Sequence, residues 1–274
     1  MQNAVVHWLG EKASAELGTT VRVGRVALSL RGQIILEGIL IEDIDGDTLL
    51  AADALRVKGL RIHPGSNLVV MSGLDLEGTR FALRTPAGQE KSNLTLLMDR
   101  LGSSDTTSAG EDWTIRCKRF NIAELHFTYH NANTVRIPFG VDVEHVDVIH
   151  AHIAGRALEV IGDSIVADLQ RMRFMDHSGL VVEELSGFTS ISGRALHIDD
   201  LLLRTDRSSA RGKLEFSSEN WLAYNDFNEL VNMRIDLDTA RVDLADIALF
   251  APDLEGIQYP IEVSGKVRGT VAEL

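Results

Sequence analysis

The sequence predicts a mainly β protein: an elongated, curved antiparallel sheet with an N-terminal amphipathic helix and a few short helices. Three observations predict it. Short runs of Val, Ile and Leu alternate with charged residues at a period of two along most of the 274 residues. Gly or Asp-Gly breaks interrupt those runs, as at Asp45-Gly46, Gly59, Gly73 and Gly78, where a chain reversal or kink needs backbone angles that glycine tolerates. Hydrophobic residues make up 45% of the chain but aromatic ones only 5%, so burial rests on branched aliphatics that suit a pleated surface.

In chain order, residues 2–17 place Val5, Trp8, Leu9, Ala13 and Leu17 on one helical face, with Gly18 as a stop. The period then shortens to two at Val21 and Val23, and again at Val26, Leu28 and Leu30. Residues 32–62 form the unit whose style recurs downstream, with Leu55 and Val57 on one strand face. Leu74, Leu76, Phe81 and Leu83 continue it. Residues 92–101 return to helical spacing with Ser92 as N-cap and Gly102 as stop. Residues 103–112, SSDTTSAGED, carry almost no apolar content and predict a flexible linker or exposed loop. The expected organisation is therefore 1–102, the helix plus a first sheet unit; 103–112, the linker; and 113–274, a second sheet region. In that region strand text resumes over 113–130, strands follow one another from Phe139 to Phe216, residues 221–230 form an insertion, residues 242–250 have helical potential, and alternation resumes at Ile261, Val263, Val267 and Val271. Loose internal echoes, such as GRALEV at 155–160 and GRALHI at 193–198, indicate recurring units without a strict period.

The composition narrows function. A formal charge of −13 with no basic stripe argues against nucleic acid as a partner. The single cysteine, Cys117, excludes an internal disulfide and a multi-cysteine metal site, and lies in strand text as a small apolar residue. No apolar run reaches the length of a membrane-spanning helix. The chain opens inside a helical pattern and closes inside strand text, which reads as part of a longer protein.

Signatures of chemistry are sparse. The P-loop, dinucleotide and nucleophile-elbow motifs are missing. Asp43, Asp45 and Asp47 invite a calcium loop, but Thr48 and Ala54 stand where such a loop needs Gly and Glu, so a solvated hairpin turn is expected. His126 and His130, four apart in strand text, are too far apart to share an ion, and His150 with His152 lacks a third ligand. The neighbours Glu183 and Glu184, like Asp199 and Asp200, are expected on opposite strand faces, a poor geometry for shared acid–base work. The reading is therefore not an enzyme, with no cofactor and no metal. What remains is a long sheet with an aliphatic face that must be covered, close into a barrel or sandwich, or stay open for a ligand.

At ELGTTVRVGRVALSL and LEGILIEDIDGDTLLAADALRV, and again at DLDTARVDLADIALFAPDLEGIQYPIEVSGKVRGTV, the chain resembles the N-terminal region of TamB-like proteins of the AsmA/TamB superfamily, of the Bacteroidetes type. The resemblance implies a repeating, taco-like β-groove with an apolar interior, in the periplasm. It implies an inner-membrane anchor upstream and an outer-membrane barrel partner met through an absent C-terminal region. The implied function is movement of phospholipid between inner and outer membranes; the alternative is a scaffold for outer-membrane protein or autotransporter assembly by β-strand addition. Phospholipid acyl chains would lie against alternating aliphatics, for which Val26, Leu28, Leu30, Leu55, Val57, Ile198 and Leu214 are the candidates.

Overall fold

Period-two alternation becomes strand after strand in the computed structural model, which describes residues 14, 18–29, 32–102, 113–219, 227–270 and 272. The expected helix over 2–17 (apart from residue 14), Leu30, the 103–112 linker and most of the 221–230 insertion lie outside the described residues. The strands are β1 (Val21–Leu28), β2 (Gln33–Glu42), β3 (Thr48–Lys58), β4 (Arg61–His63), β5 (Leu68–Met71), β6 (Gly73–Thr85), β7 (Thr114–Asn131) and β8 (His145–Ile161). They continue as β9 (Ser164–Asp176), β10 (Val181–Ile191), β11 (Ala195–Thr205), β12 (Ser209–Ser217), β13 (Asn232–Asp243) and β14 (Pro260–Gly269). All fourteen belong to one large, curved, open sheet. Its main path runs β1-β2-β3-β6-β7 and then in sequence order to β14, with β4 and β5 beside it.

Most neighbours are antiparallel hairpins, as tight turns dictate. The β6–β7 pair is parallel, because the chain between them carries helix α1 (Asn93–Gly102) and returns to the opposite end of the sheet. Ser92 caps α1 through its Oγ, which accepts from Thr95 N at 3.2 Å. Helix α2 (Phe227–Leu230) precedes β13 and helix α3 (Leu244–Ala248) follows it. The α3 N-cap is Asp243, whose Oδ1 accepts from Ala245 N at 2.9 Å. The helical potential of 242–250 is thus realised two residues late, since β13 pairing holds the chain extended through Asp243. Val141 and Val143, expected in strand text, lie before β8, where Asp142 turns the chain by accepting from Ile137 N and Glu144 N. Among the described residues no helix is long and apolar enough to cross a membrane.

The sheet has an irregularity that a period of two does not anticipate. On β6 the apolar positions are Leu74 and Leu76, then Phe81 and Leu83, so an even series becomes odd. Gly78, between them, has φ +59°. The same change of parity falls on β2 from Leu36 to Ile39 around Gly38 (φ +63°), and on β7 from Ile122 to Leu125 around Glu124 (φ +51°). Register puts Gly38 and Gly78 opposite Asp53 of β3, and Gly78 level with Glu124. One line of left-handed residues thus crosses neighbouring strands and continues at His150 (φ +52°) on β8, where the pairing slips. Such bulges bend a strand and raise its twist, and aligned bulges bend a whole sheet.

The far half of the sheet has a left-handed residue at a pairing slip too, Asp200 (φ +52°) on β11, and a close backbone approach on β12. Gly212 of β12 has φ +152°, and an added Cβ would lie 2.0 Å from the backbone oxygen of Asp236 on β13. Gly212→Ala is therefore expected to lower the stability of the chain by about 3 kcal/mol, the upper range for strained backbone positions. A denaturant midpoint shift equivalent to less than about 1 kcal/mol would mean that β12 and β13 relax around the methyl group.

Candidate functional site: an apolar row across the sheet

Cross-strand partners share a face, so the register reads out which side chains form continuous rows. Starting from Val26 on β1, successive partners are Leu36, Leu55 and Leu76. The row continues through Ile122, Ile153 and Met172. It passes to Leu185 and Leu203, then Ala210, Ala240 and Val263 on β14. Every strand of the main path contributes one residue, and every residue is apolar.

A second row runs Leu28, Ile34, Val57, Leu74, Phe120 beside it. A third runs Ala167, Thr189, Ile198, Leu214, Ile235, Val267. The cluster of Met71, Cys117, Phe120 and Ala167 ties the rows to one face, because Val57, Leu74 and Ile153 pack against it. Of the candidates, Val26 and Leu55 therefore stand in the first row, Leu28 and Val57 in the second, and Ile198 and Leu214 in the third. Leu30 lies outside the described residues. Their environments differ: Leu28 ends its strand 76% exposed, Val57 packs on the buried cluster, and Ile198 is 4% exposed. Leu36, Leu76, Met172, Leu185 and Leu203, missed by sequence reasoning, are half-buried row members. The signal that could have found them was the change of parity at each bulge.

The opposite face is charged and ordered by cross-strand ion pairs. Directly opposed residues pair at Arg25–Glu37 (3.4 Å), Arg156–Asp168 (2.6 Å), Arg234–Glu215 (3.0 Å) and Lys266–Asp236 (2.6 Å). Each is exposed and contributes little stability, but a slip of one residue would put these charges on the apolar face, so they help fix register. Cavities of about 770 and 580 Å³ lie against side chains of this face, and one of about 920 Å³ is lined by polar side chains together with Ala210, Ala240 and Val263, the β14 end of the first row.

The residues weighed for chemistry take structural places. Asp43 is 1% exposed and accepts from Asp45 N and Asp47 N at 3.0 Å each, from Arg84 Nε at 2.9 Å and from Asn93 Nδ2 at 3.0 Å. Arg84 also bonds Asp45 at 2.9 Å and pairs with Asp47, so one guanidinium stands among the three carboxylates of the suspected calcium loop. Burial pushes the Asp43 carboxyl up, but the donors Asn93, Asp47 N, Arg84 and Asp45 N together hold it below its ordinary value. Cys117 is buried in the core cluster, and burial pushes its thiol up, the opposite of activation. His126 Nε2 bonds Asp147 at 2.8 Å, and the His130 ring lies 4.8 Å from that of His145. Glu183 and Glu184, expected on opposite faces, both reach Arg204, at 3.5 and 3.6 Å. The pairing slips between Val182 and Glu184, and that bulge cancels the alternation. Among the described residues no group of His, Cys, Asp and Glu is arranged to hold a metal ion. Comparison with protein-family models and with curated proteins returns no match.

Proposed function

We infer that the apolar face is the inside of a taco-like β-groove that carries phospholipid acyl chains. In this reading the chain is the periplasmic part of a bridge-like protein of the AsmA/TamB type, moving phospholipid between inner and outer membranes. It would be anchored upstream in the inner membrane and meet an outer-membrane barrel partner through a region beyond this chain. The observation that carries the reading is the apolar row that crosses all twelve strands of the main path without a second layer over it among the described residues. The described elements pack chiefly on their sheet neighbours, with α1 on β6 and α3 on β13.

Burial of small side chains supports a bend toward this face. Ala52, Thr79 and Ala151 fall at 4%, 2% and 1% exposure although no described helix or second sheet packs on them. Twelve strands about 4.8 Å apart make a row roughly 50 Å long. One leaflet's hydrocarbon is about 15 Å deep, half of the whole core, so the row exceeds one chain length and favours sliding over fixed binding. Each acyl CH₂ removed from water contributes about 0.8 kcal/mol, and methyl-lined walls select chain rather than head group.

The test is the lipid content of the protein itself. Protein made in cells and purified without detergent is expected to carry phospholipid, measured by mass spectrometry of its organic extract, with several head groups represented. Lipid-free protein that also fails to take up lipid from vesicles overturns the reading. A second reading, a scaffold that templates barrel proteins by strand addition, is favoured by β14, which has β13 on one side and no partner on its other side among the described residues. It predicts crosslinks to client proteins from photoreactive residues along β14.

A further inference from the structure

The polar face carries a feature that the acyl-chain reading does not use. Strands β7 to β11 form its cavity of about 580 Å³, and the side chains around it are unusually basic for a chain of charge −13. Arg171 and Arg173 enter from β9, Arg204 from β11, and His150 and His152 from β8. Two carboxylates, Glu124 and Glu183, share the cavity, and both are already engaged. Glu124 accepts from His152 Nε2 at 2.8 Å and from His150 Nδ1 at 3.3 Å, and these bonds, His150 first, hold its carboxyl below the ordinary range. Glu183 lies 3.5 Å from Arg204.

Arg171 and Arg173 are left without an ion-pair partner among the described residues. Several cations of this face have an acid directly opposite that neutralises them, as at Arg156–Asp168 and Arg234–Glu215. Opposite Arg173 stands His152, and opposite Arg171 stands Ala154. Being two apart on a regular stretch of strand, the two arginines project side by side roughly 7 Å apart, a spacing that lets two guanidinium forks grip one tetrahedral oxyanion from two sides. Planar forks of this kind match phosphate oxygens better than ammonium groups do. The backbone helps set the site: the positive φ of Glu124 and His150 belongs to the bulge line that bends the sheet, and it brings the carboxylate and both imidazoles together.

We propose that this cavity binds a phosphate group, either free or carried on a lipid head group. The site lies on the face opposite the apolar rows and stands whether or not those rows carry lipid. The experiment titrates the intact chain by calorimetry with inorganic phosphate, with glycerol phosphate, and with monomeric dihexanoyl phosphatidic acid. Wild type is expected to bind inorganic phosphate saturably, and R171Q/R173Q to bind it at least about tenfold more weakly, since the charge-assisted hydrogen bonds of both guanidinium groups are lost. Both arginines are exposed, so the variant should unfold at the wild-type denaturant midpoint. Equal affinity for all three probes assigns the site to free phosphate. Tighter, phosphate-competitive binding of the acylated probe assigns it to a head group. No saturable phosphate binding below about 10 mM, or binding that is the same in wild type and variant, overturns the proposal.

Discussion

Leu55→Glu combined with Leu203→Glu is expected to strip the protein of phospholipid while leaving the sheet folded. The two residues lie in the same apolar row with five strands between them, on either side of Ile122 and Ile153. Both are half-buried, with apolar neighbours on each side in the row. In the empty protein a glutamate there reaches water, because no described element is stacked on that face. An acyl chain laid along the row would have to strip that water away, and an unpaired charge held against hydrocarbon costs several kcal/mol. Two such sites are expected to lower lipid recovered per protein by more than tenfold. Leu55→Met with Leu203→Met should retain it, since the substitution keeps apolar volume. Leu28 and Val57 serve this test less well: Leu28 lies at the open end of β1, and Val57 packs on the core cluster, so its loss confounds lipid with stability. Unchanged lipid in the glutamate variant, with circular dichroism like wild type, would place the acyl chains elsewhere.

How much of this could be read from the sequence is visible in the same residues. The alternation of Val26 and Leu28, or of Leu55 and Val57, is enough to predict strands with an apolar face. The break from Leu74 and Leu76 to Phe81 and Leu83 is also plain in the sequence, but its meaning is not. A parity change signals a bulge only when the neighbouring strands change parity at the same level, and that requires the register. The first row joins residues from Val26 to Val263, and no local pattern links them. Arg84 lies 41 residues beyond Asp43, so the arginine that fills the Asp43–Asp47 turn could not be assigned from the turn itself. Glu183 and Glu184 failed the opposite way: alternation was applied where a bulge suspends it.

The turn at Asp43 should be the most acid-sensitive and mutation-sensitive point of the first sheet unit. Its carboxylate joins the β2–β3 turn to Arg84 at the end of β6 and to Asn93 at the start of α1. Asp43→Ala removes the acceptor for all four donors at once. Asn93, fully buried, would keep its bonds to the β6 backbone but lose its charged partner, and Arg84 would retain only the exposed Asp45 and Asp47. Breaking a buried charged network in this way is expected to cost about 3–5 kcal/mol. The pH dependence follows from the direction of the Asp43 shift. A carboxyl whose folded value is depressed contributes stability above the unfolded carboxylate value, near pH 4, and loses it as pH falls through the folded value. Asp142 works in the same direction: burial opposes its ionisation, but Ile137 N, the His145 ring and Glu144 N together hold it low. Wild-type stability should therefore fall progressively below about pH 5, while Asp43→Ala, already weaker at neutral pH, should lose less over the same range. Denaturant titrations in steps from pH 7 down to about pH 2, below the unfolded carboxylate value, measure both slopes. Parallel pH profiles for the two proteins would show that the network around Asp43 is held by geometry rather than by its charge.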